Sequence, residues 1–203
     1  MTPSLLSYPT VKRLLDAVAV LVLLGPAVLV LAVASVGALV AQGRPVLFTQ
    51  RRVGRHGKSF LLLKLRTMTG DPADGRAYRE RDRITRYGRL LRRLRIDELP
   101  QLLNVLAGSM SLVGPRPLLA DHLALVGGGG RRHDVRPGLT CYAQLELAER
   151  GYLDKHRQVE LDEAYVARLS LRGDLAILAR TAGTWLRRHR DESDSRQGPR
   201  PPE

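Results

Sequence analysis

An α+β, mostly helical fold is predicted: an N-terminal re-entrant membrane helix, then a small cytoplasmic domain with amphipathic interfacial helices and a short strand pair. Three observations predict it. Leu14 to Ala41 is a run of 28 residues whose only charge is Asp16. Two β-prone segments, Val46 to Thr49 and Ser59 to Leu65, flank a basic turn, Gly54-Arg-His-Gly57. Apolar residues then recur at helical spacing through most of the remaining chain.

The apolar run comes first. As a helix it is about 42 Å long, against a hydrocarbon core of about 30 Å. A cleaved signal peptide has an apolar stretch of only about 7 to 15 residues. Gly25-Pro26 lies near the middle, and a mid-helix proline removes a backbone hydrogen bond and bends the helix. Both flanks are basic: Lys12 and Arg13 before, Arg44, Arg51, Arg52 and Arg55 after. The positive-inside tendency keeps both ends cytoplasmic. A bent helix that enters and leaves by one face satisfies both observations. An ordinary kinked transmembrane helix fits the same residues.

Gly70 to Gly75 reads as a loop rich in Asp, Pro and Gly. Ile84, Tyr87, Leu90, Leu91 and Leu94 share helical spacing with arginines between them, a basic amphipathic helix suited to a membrane surface or to a solvated face. Leu99 to Leu106 continues as an apolar helix. Gly127 to Gly130 is a flexible break. Arg136-Pro-Gly138 marks a turn, and Glu160 to Trp185 reads as helix interrupted at Gly173. The expected domains are a membrane-embedded helix over 1–43, a cytoplasmic domain over 44–188 and a disordered tail over 189–203.

Composition narrows the classes. The net charge is +13, and only four of the 33 basic residues are lysines. Arginine is the better bidentate phosphate ligand, and a basic face also suits anionic head groups. The single Cys141 excludes an intrachain disulfide framework. No Cys/His cluster has zinc spacing.

The chemistry concentrates in residues 95–117. An adjacent acid pair, Asp97-Glu98, precedes Arg116 by nineteen residues. Adjacent helical residues point about 100° apart, so a division of labour is natural: one carboxylate attacks phosphorus or shares a proton, the other holds a hard cation such as Mg²⁺. An acid pair at a helix start, placed there by the macrodipole, is the plainer alternative. Pro115 and Pro117 preset the backbone around Arg116, so that its guanidinium can clamp a phosphate or stitch a core. Lys64 and Arg66, two apart on a predicted strand, face one side. They suit a two-point anion contact or a solvated face.

These segments resemble the bacterial monotopic sugar transferases, the polyprenyl-phosphate phosphoglycosyl transferases. The resemblance rests on Lys12-Arg-Leu-Leu-Asp16, Phe48-Thr-Gln-Arg-Arg-Val-Gly54, Lys64-Leu-Arg-Thr-Met68, Asp97-Glu-Leu-Pro-Gln-Leu-Leu-Asn-Val-Leu106, Ser111-Leu-Val-Gly-Pro-Arg-Pro117, Arg132-His-Asp-Val-Arg-Pro-Gly138 and Ser170-Leu-Arg-Gly-Asp174. They cover roughly residues 11 to 186 in the family's order, and the length matches the family's small form. The resemblance implies a re-entrant helix bent at a pair occupied here by Gly25-Pro26. It implies that Asp97 attacks the β-phosphate of a UDP-sugar, releasing UMP and forming a phosphosugar-enzyme. The sugar phosphate then passes to polyprenyl (undecaprenyl) phosphate. Glu98 would bind Mg²⁺. Lys64, Arg66, Arg92 and Arg116 match family positions near the phosphates, and Asp174 matches a family acid. Such an enzyme works at the cytoplasmic face of the bacterial inner membrane. It catalyses the first membrane step of a glycoconjugate, exopolysaccharide or O-antigen-type pathway. Its partners are a UDP-sugar, the polyprenyl phosphate and membrane lipids, with a homodimer as a further candidate assembly.

The chain departs from the pattern in places. Thr140-Cys-Tyr-Ala-Gln-Leu-Glu-Leu-Ala148 replaces Thr-Gly-Trp-Ala-Gln-Val-Asn-Gly-Arg, with Arg150 near enough to stand in for the lost arginine. Arg95 replaces a small Ser or Thr, and four glycines follow His122-Leu-Ala-Leu-Val126. Two other readings compete: a membrane-bound scaffold of the same fold with impaired catalysis, and a basic nucleic-acid binder. The apolar run and the 4% aromatic content weigh against the last, and the retained acid pair weighs against the first.

Overall fold

A computed structural model describes residues 8–70, 83–128 and 130–196. The chain forms two compact units, Met1–Ser111 and Leu112–Glu203. The expected α+β, mostly helical class is the one observed.

The first unit begins with helix α1 (Tyr8–Gln42), which carries Pro26 inside it. Its apolar window has a mean hydropathy of 2.8, yet only 17% of that window is buried. Val22, Leu29, Val33 and Val40 are more than two-thirds exposed. Large aliphatic side chains left bare over several turns are stable only against a partner or a lipid phase. The small residues face inward instead: Ala27, Ala34 and Ala38 are buried.

Strands β1 (Leu47–Val53) and β2 (Ser59–Leu65) form an antiparallel hairpin in which Leu47 opposes Leu65 and Val53 opposes Ser59. The expected strand pair is thus present, with β1 four residues longer at its C-terminal end than its apolar core suggests. Those residues, Gln50 to Val53, are mostly polar; cross-strand pairing carries them into the ladder.

Helix α2 (Arg86–Arg93) is capped by Thr85, whose hydroxyl accepts from the Gly88 N–H at 2.8 Å. A 3₁₀ turn over Ile96–Glu98 and the short helix α3 (Gln101–Leu106) follow. The core of this unit joins Ala34 of α1, Leu65 of β2 and Leu91 of α2, with Leu31, Val46, Tyr87 and Ile96 around them. α1 is therefore part of the unit's packing and not a detached anchor.

Both ends of α1 are stitched to that same unit. Near its start, Arg13 donates to the carbonyls of Val105 (2.5 Å) and Leu106 (2.7 Å), closing the C-terminal end of α3. Asp16, the lone charge in the apolar run, is buried; it accepts from the Ser111 hydroxyl at 2.6 Å, with Lys12 3.9 Å away. Near its end, the Tyr87 hydroxyl donates to the Ala34 carbonyl at 3.1 Å, over a close approach that Gly37 alone permits. Arg66 closes the C-terminal end, donating to the carbonyls of Gln42 and Gly43.

Strand β3 (Ser111–Val113) starts at the last residue of the first unit and pairs with β4 (Gly138–Thr140); the second unit also contains the short helices α4 (Ala120–Ala124) and α5 (Tyr142–Arg150), and the longer α6 (Lys155–Ala167) and α7 (Leu171–Arg196). This second sheet was not expected. Its strands have three residues each, too short for an alternating pattern to register. The close approach of Gly114 to Gly138 leaves no room for a side chain on either.

Two expectations are corrected here. The break in the C-terminal helical region falls at Arg168 to Ser170, not at Gly173, which lies in the first turn of α7. Ser170 supplies the start signal, its hydroxyl accepting from the Gly173 N–H at 3.2 Å. The backbone of α7 stays helical to Arg196, past the point where composition predicts a tail. Once a helix is nucleated, each further residue adds a bond at little cost. Residues 197–203 and Gly129 lie outside the described residues, as does the expected loop from Asp71 to Gly75.

Candidate active site

The turn that carries the acid pair is reached through Arg95, whose φ of 56° is left-handed. A non-glycine residue pays about 1–2 kcal/mol for that conformation. The reversal sends the two carboxylates into different surroundings. Asp97 is turned inward and only 6% exposed. Glu98 faces a pair of cations: Lys64 Nζ lies 3.0 Å from one oxygen and Arg95 Nη1 3.0 Å from the other. Among the described residues no cation makes an ion pair with Asp97. The sequence places the pair at the start of the Leu99 helix. In the structure it occupies a separate 3₁₀ turn before Pro100.

The surrounding elements fix this turn. Asn104 on α3 is buried against the edge of β2. Its amide oxygen accepts from Leu63 N–H at 3.0 Å and its amide nitrogen donates to the Leu61 carbonyl at 2.8 Å. A strand edge that would otherwise expose its backbone is thereby satisfied, and Lys64 is held beside Glu98. On the other side, Arg92 Nε donates to the Thr67 hydroxyl at 2.8 Å. Gly88 makes this possible: any side chain there would strike the Thr67 backbone.

Electrostatics divide the two acids. Burial raises the Asp97 carboxyl above its ordinary value, and the charge of Glu98 pushes the same way; Lys64 and Arg92 pull it back. Asp97 is thus a carboxylate in a poorly solvated place with cations nearby, and its lone pairs are not spent on an ion pair. Glu98 gathers positive charge on both oxygens. A hard divalent cation held there would have to take the place of Lys64 or Arg95, and among the described residues no group of three or more His, Cys, Asp and Glu side chains gathers to hold a metal.

The other expected residues separate. Arg66 does not join Lys64 against Glu98. It lies just past β2, where its guanidinium is committed to the last carbonyls of α1. Alternation along the strand, which puts the two on one face, does not continue once the strand has ended. Arg150 lies on the exposed face of α5, 3.6 Å from Glu146, which Arg157 also contacts. Asp174 is buried on α7, its Oδ1 2.8 Å from the Tyr165 hydroxyl, which also lies 3.1 Å from the Val113 carbonyl. Pro26 is exposed within α1.

Arg116 is half-buried in the second unit and sits inside a cluster that sequence reasoning missed. The Arg132 guanidinium donates through Nη2 to the Arg116 carbonyl, and the same Nη2 forms an ion pair with Asp162 Oδ2 at 2.8 Å. The Arg116 N–H points at Asp162 Oδ1, 3.4 Å away. With the Gln144 amide oriented to satisfy both its ends, its oxygen accepts from Arg116 Nη1 at 2.6 Å and its nitrogen donates to the Leu139 carbonyl at 3.1 Å. Burial raises the Asp162 carboxyl to about 7 against the opposing charges of Arg132 and Arg116, and burial lowers Arg132. The available signal was the placement of Arg132 and Gln144 within the quoted motif segments. Asp162 had no such flag.

This architecture defines a class: an exposed apolar helix sewn at both ends to a unit that presents a cation-ringed acid pair. The bacterial sugar transferase family profile matches residues 7–188, and the chain belongs to that family. Among its relatives, the uncharacterized sugar transferase EpsL of Bacillus subtilis is 50% identical over 141 residues, 68% of this chain and 69% of that protein. A UDP-glucose:undecaprenyl-phosphate glucose-1-phosphate transferase of Caulobacter vibrioides is 42% identical over 185 residues, 86% of this chain and 69% of that protein. A protein of the same name from Xanthomonas campestris pv. campestris is 41% identical over 189 residues; the match covers 86% of this chain but only 38% of that protein.

Proposed function

We propose that the chain transfers a sugar 1-phosphate from a UDP-sugar to undecaprenyl phosphate, releasing UMP, through a covalent phosphosugar-aspartate. The observation that carries this reading is the asymmetry of the acid pair. Asp97 is buried and makes no ion pair among the described residues, while Glu98 is held by Lys64 and Arg95. The reaction for which the Caulobacter and Xanthomonas relatives are named supports the overall transfer.

The first step is attack by an Asp97 carboxylate oxygen on the β-phosphorus. A new P–O bond forms to Asp97. The bond from the β-phosphorus to the bridging oxygen breaks, and that oxygen leaves with its electron pair as UMP. In the second step an oxygen of undecaprenyl phosphate attacks the same phosphorus. The Asp97–phosphorus bond breaks, restoring the carboxylate and giving an undecaprenyl diphosphosugar. Phosphoryl transfer of this kind needs position and positive charge more than proton chemistry. Lys64 and Arg92 supply charge beside Asp97, and Arg116 is assigned to a phosphate as well. The raised Asp97 pKa reflects a poorly hydrated carboxylate, which is the more nucleophilic for it. Mg²⁺ held by Glu98 would neutralise phosphate charge when bound.

The acceptor is a lipid, and α1 is built to meet it. Its apolar side chains are bare, while Arg13, Asp16, Tyr87 and Arg66 tie both its ends to the catalytic unit. These ties favour a helix that dips into the cytoplasmic leaflet of the inner membrane and returns.

The test is to expose the detergent-purified chain to a panel of UDP-hexoses without acceptor and analyse it by mass spectrometry. A phosphosugar adduct on Asp97, with UMP released in equal amount and none of either from Asp97→Asn, is expected. EDTA should stop turnover, and Glu98→Gln should impair it severely, an amide being a poor ligand for a hard cation. Release of UDP, or ordinary turnover by Asp97→Asn, would overturn the mechanism.

A further inference from the structure

The cluster around Arg116 is larger than a phosphate ligand needs. It forms a closed ring: the Arg116 carbonyl to Arg132 Nη2, Nη2 to Asp162 Oδ2, and Asp162 Oδ1 to the Arg116 N–H. The Arg132 and Asp162 side chains are 3% and 1% exposed, so the ion pair is almost wholly out of water. Such a pair is a poor source of net stability, and an apolar pair of similar volume would hold a core as well. What the ion pair supplies is direction. It grips both polar groups of one residue's backbone, and that residue already stands between Pro115 and Pro117. Gln144 then fixes the far end of the same residue by accepting from its guanidinium. The three side chains come from separate places: the turn before β4, helix α5 and helix α6.

We propose that Arg132, Asp162 and Gln144 are positioning residues that together preset the Arg116 guanidinium for a substrate phosphate. This rests on the reading of Arg116 as a phosphate ligand. A flexible arginine loses side-chain freedom when it binds; one already held at its backbone and at Nη1 has lost it on folding, and its remaining N–H groups stay aimed.

A double-mutant cycle tests the proposal. The pair is replaced in the full chain as Arg132→Met with Asp162→Leu, once beside Arg116 and once beside Arg116→Ala. UMP release is followed with UDP-glucose, UDP-galactose and their N-acetylated forms as probes and undecaprenyl phosphate as acceptor. With Arg116 present, kcat should fall about tenfold or more while the melting temperature holds. Beside Arg116→Ala the same replacement should cost less than about twofold, because nothing is left to position. Equal losses in both backgrounds would make the pair merely structural and overturn the proposal, as would no loss in either. If the paired replacement fails to fold, Arg132→Lys serves in its place. It keeps the charge but replaces the planar guanidinium, whose Nη2 makes both contacts, with a rotatable ammonium that does not hold that nitrogen in place. Gln144→Leu adds an independent arm and should show the same background dependence. Ordinary kcat in Arg116→Ala itself would remove Arg116 from the phosphate site and the positioning role with it. That result is distinct from failure of the Asp97 adduct, which would sink the functional reading before any cycle is run.

Discussion

Asp97 sits in a place that costs the fold something. Its carboxyl is raised by burial first and by Glu98 second, so the folded state binds that proton more tightly than the unfolded chain does. A raised folded pKa means the stabilising contribution is complete below the ordinary value of about 3.8 and is lost as pH rises through the folded value. Above it, the folded protein carries a poorly solvated charge. Asp97→Asn removes that charge at nearly constant shape. The variant should therefore melt at the same temperature as wild type in acid, and at a higher one at neutral pH and above. Thermal unfolding of both proteins across pH checks this. A melting temperature for Asp97→Asn below wild type at pH 8 would mean the carboxylate is structurally supported and not held at a cost. Glu98 differs: with Lys64 and Arg95 on its oxygens, its neutralisation strands two cations. At this scale the sequence was readable where a residue's chemistry was marked by its neighbours. The adjacent acids and Arg116 between prolines stood out. Asp162 did not, because an aspartate in a helical stretch has no local sign that it will be buried beside an arginine thirty positions earlier.

Helix α2 shows how an element delivers a side chain. Thr85 starts it, Tyr87 and Leu91 bind it to α1 and the core, and Arg92 emerges toward Thr67 and Asp97. The approach of α2 to the segment that follows β2 is set by Gly88, whose missing side chain admits the Thr67 backbone. Gly88→Ala places a methyl against a carbonyl that has nowhere to go. The cost should be about 1–3 kcal/mol, and Arg92 should lose its bond to Thr67. A melting temperature several degrees lower, together with a lower kcat, is the expected pair of results. An unchanged melting temperature would show that α2 can slide outward freely. The helix was legible from the spacing of Ile84, Tyr87, Leu90, Leu91 and Leu94, but its close contact was not. A glycine inside a helical pattern lowers helix propensity whether or not something packs on it. The strands were legible when seven residues long and invisible at three residues, since alternation needs length to register. Arg66 shows the same limit: strand alternation places it beside Lys64 only as far as the strand runs.

For the molecule as a whole, the question is which side of the membrane each end of α1 occupies. A helix of this length can span a bilayer, and the apolar run alone does not say that it turns back. The sewing of α1 to the first unit does bear on it. Arg13 and Asp16 bind α3 and Ser111, while Ala34, Gln42 and Gly43 bind Tyr87 and Arg66, all within one compact unit. A spanning helix would carry one of these sets across the membrane and strand a buried aspartate and two arginines. Between the sets lies Pro26, which cannot donate to the carbonyl one turn back. Single cysteines at positions 10 and 45, in a Cys141→Ser background, should therefore both react with an impermeant maleimide only from the cytoplasmic side. The background is mild: Cys141 caps α5 through its sulfur at 3.3 Å from Gln144 N, and serine is a good cap. The native thiol is also buried and pushed up to about 12, so it adds little labelling of its own. Pro26→Leu restores the missing donor and should straighten the helix. A fraction of molecules should then expose position 10 on the far side, with activity falling in proportion. Opposite-side labelling of the unmodified segment would establish a spanning helix, and the contacts of Arg13 and Asp16 with the catalytic unit could not then persist in the membrane.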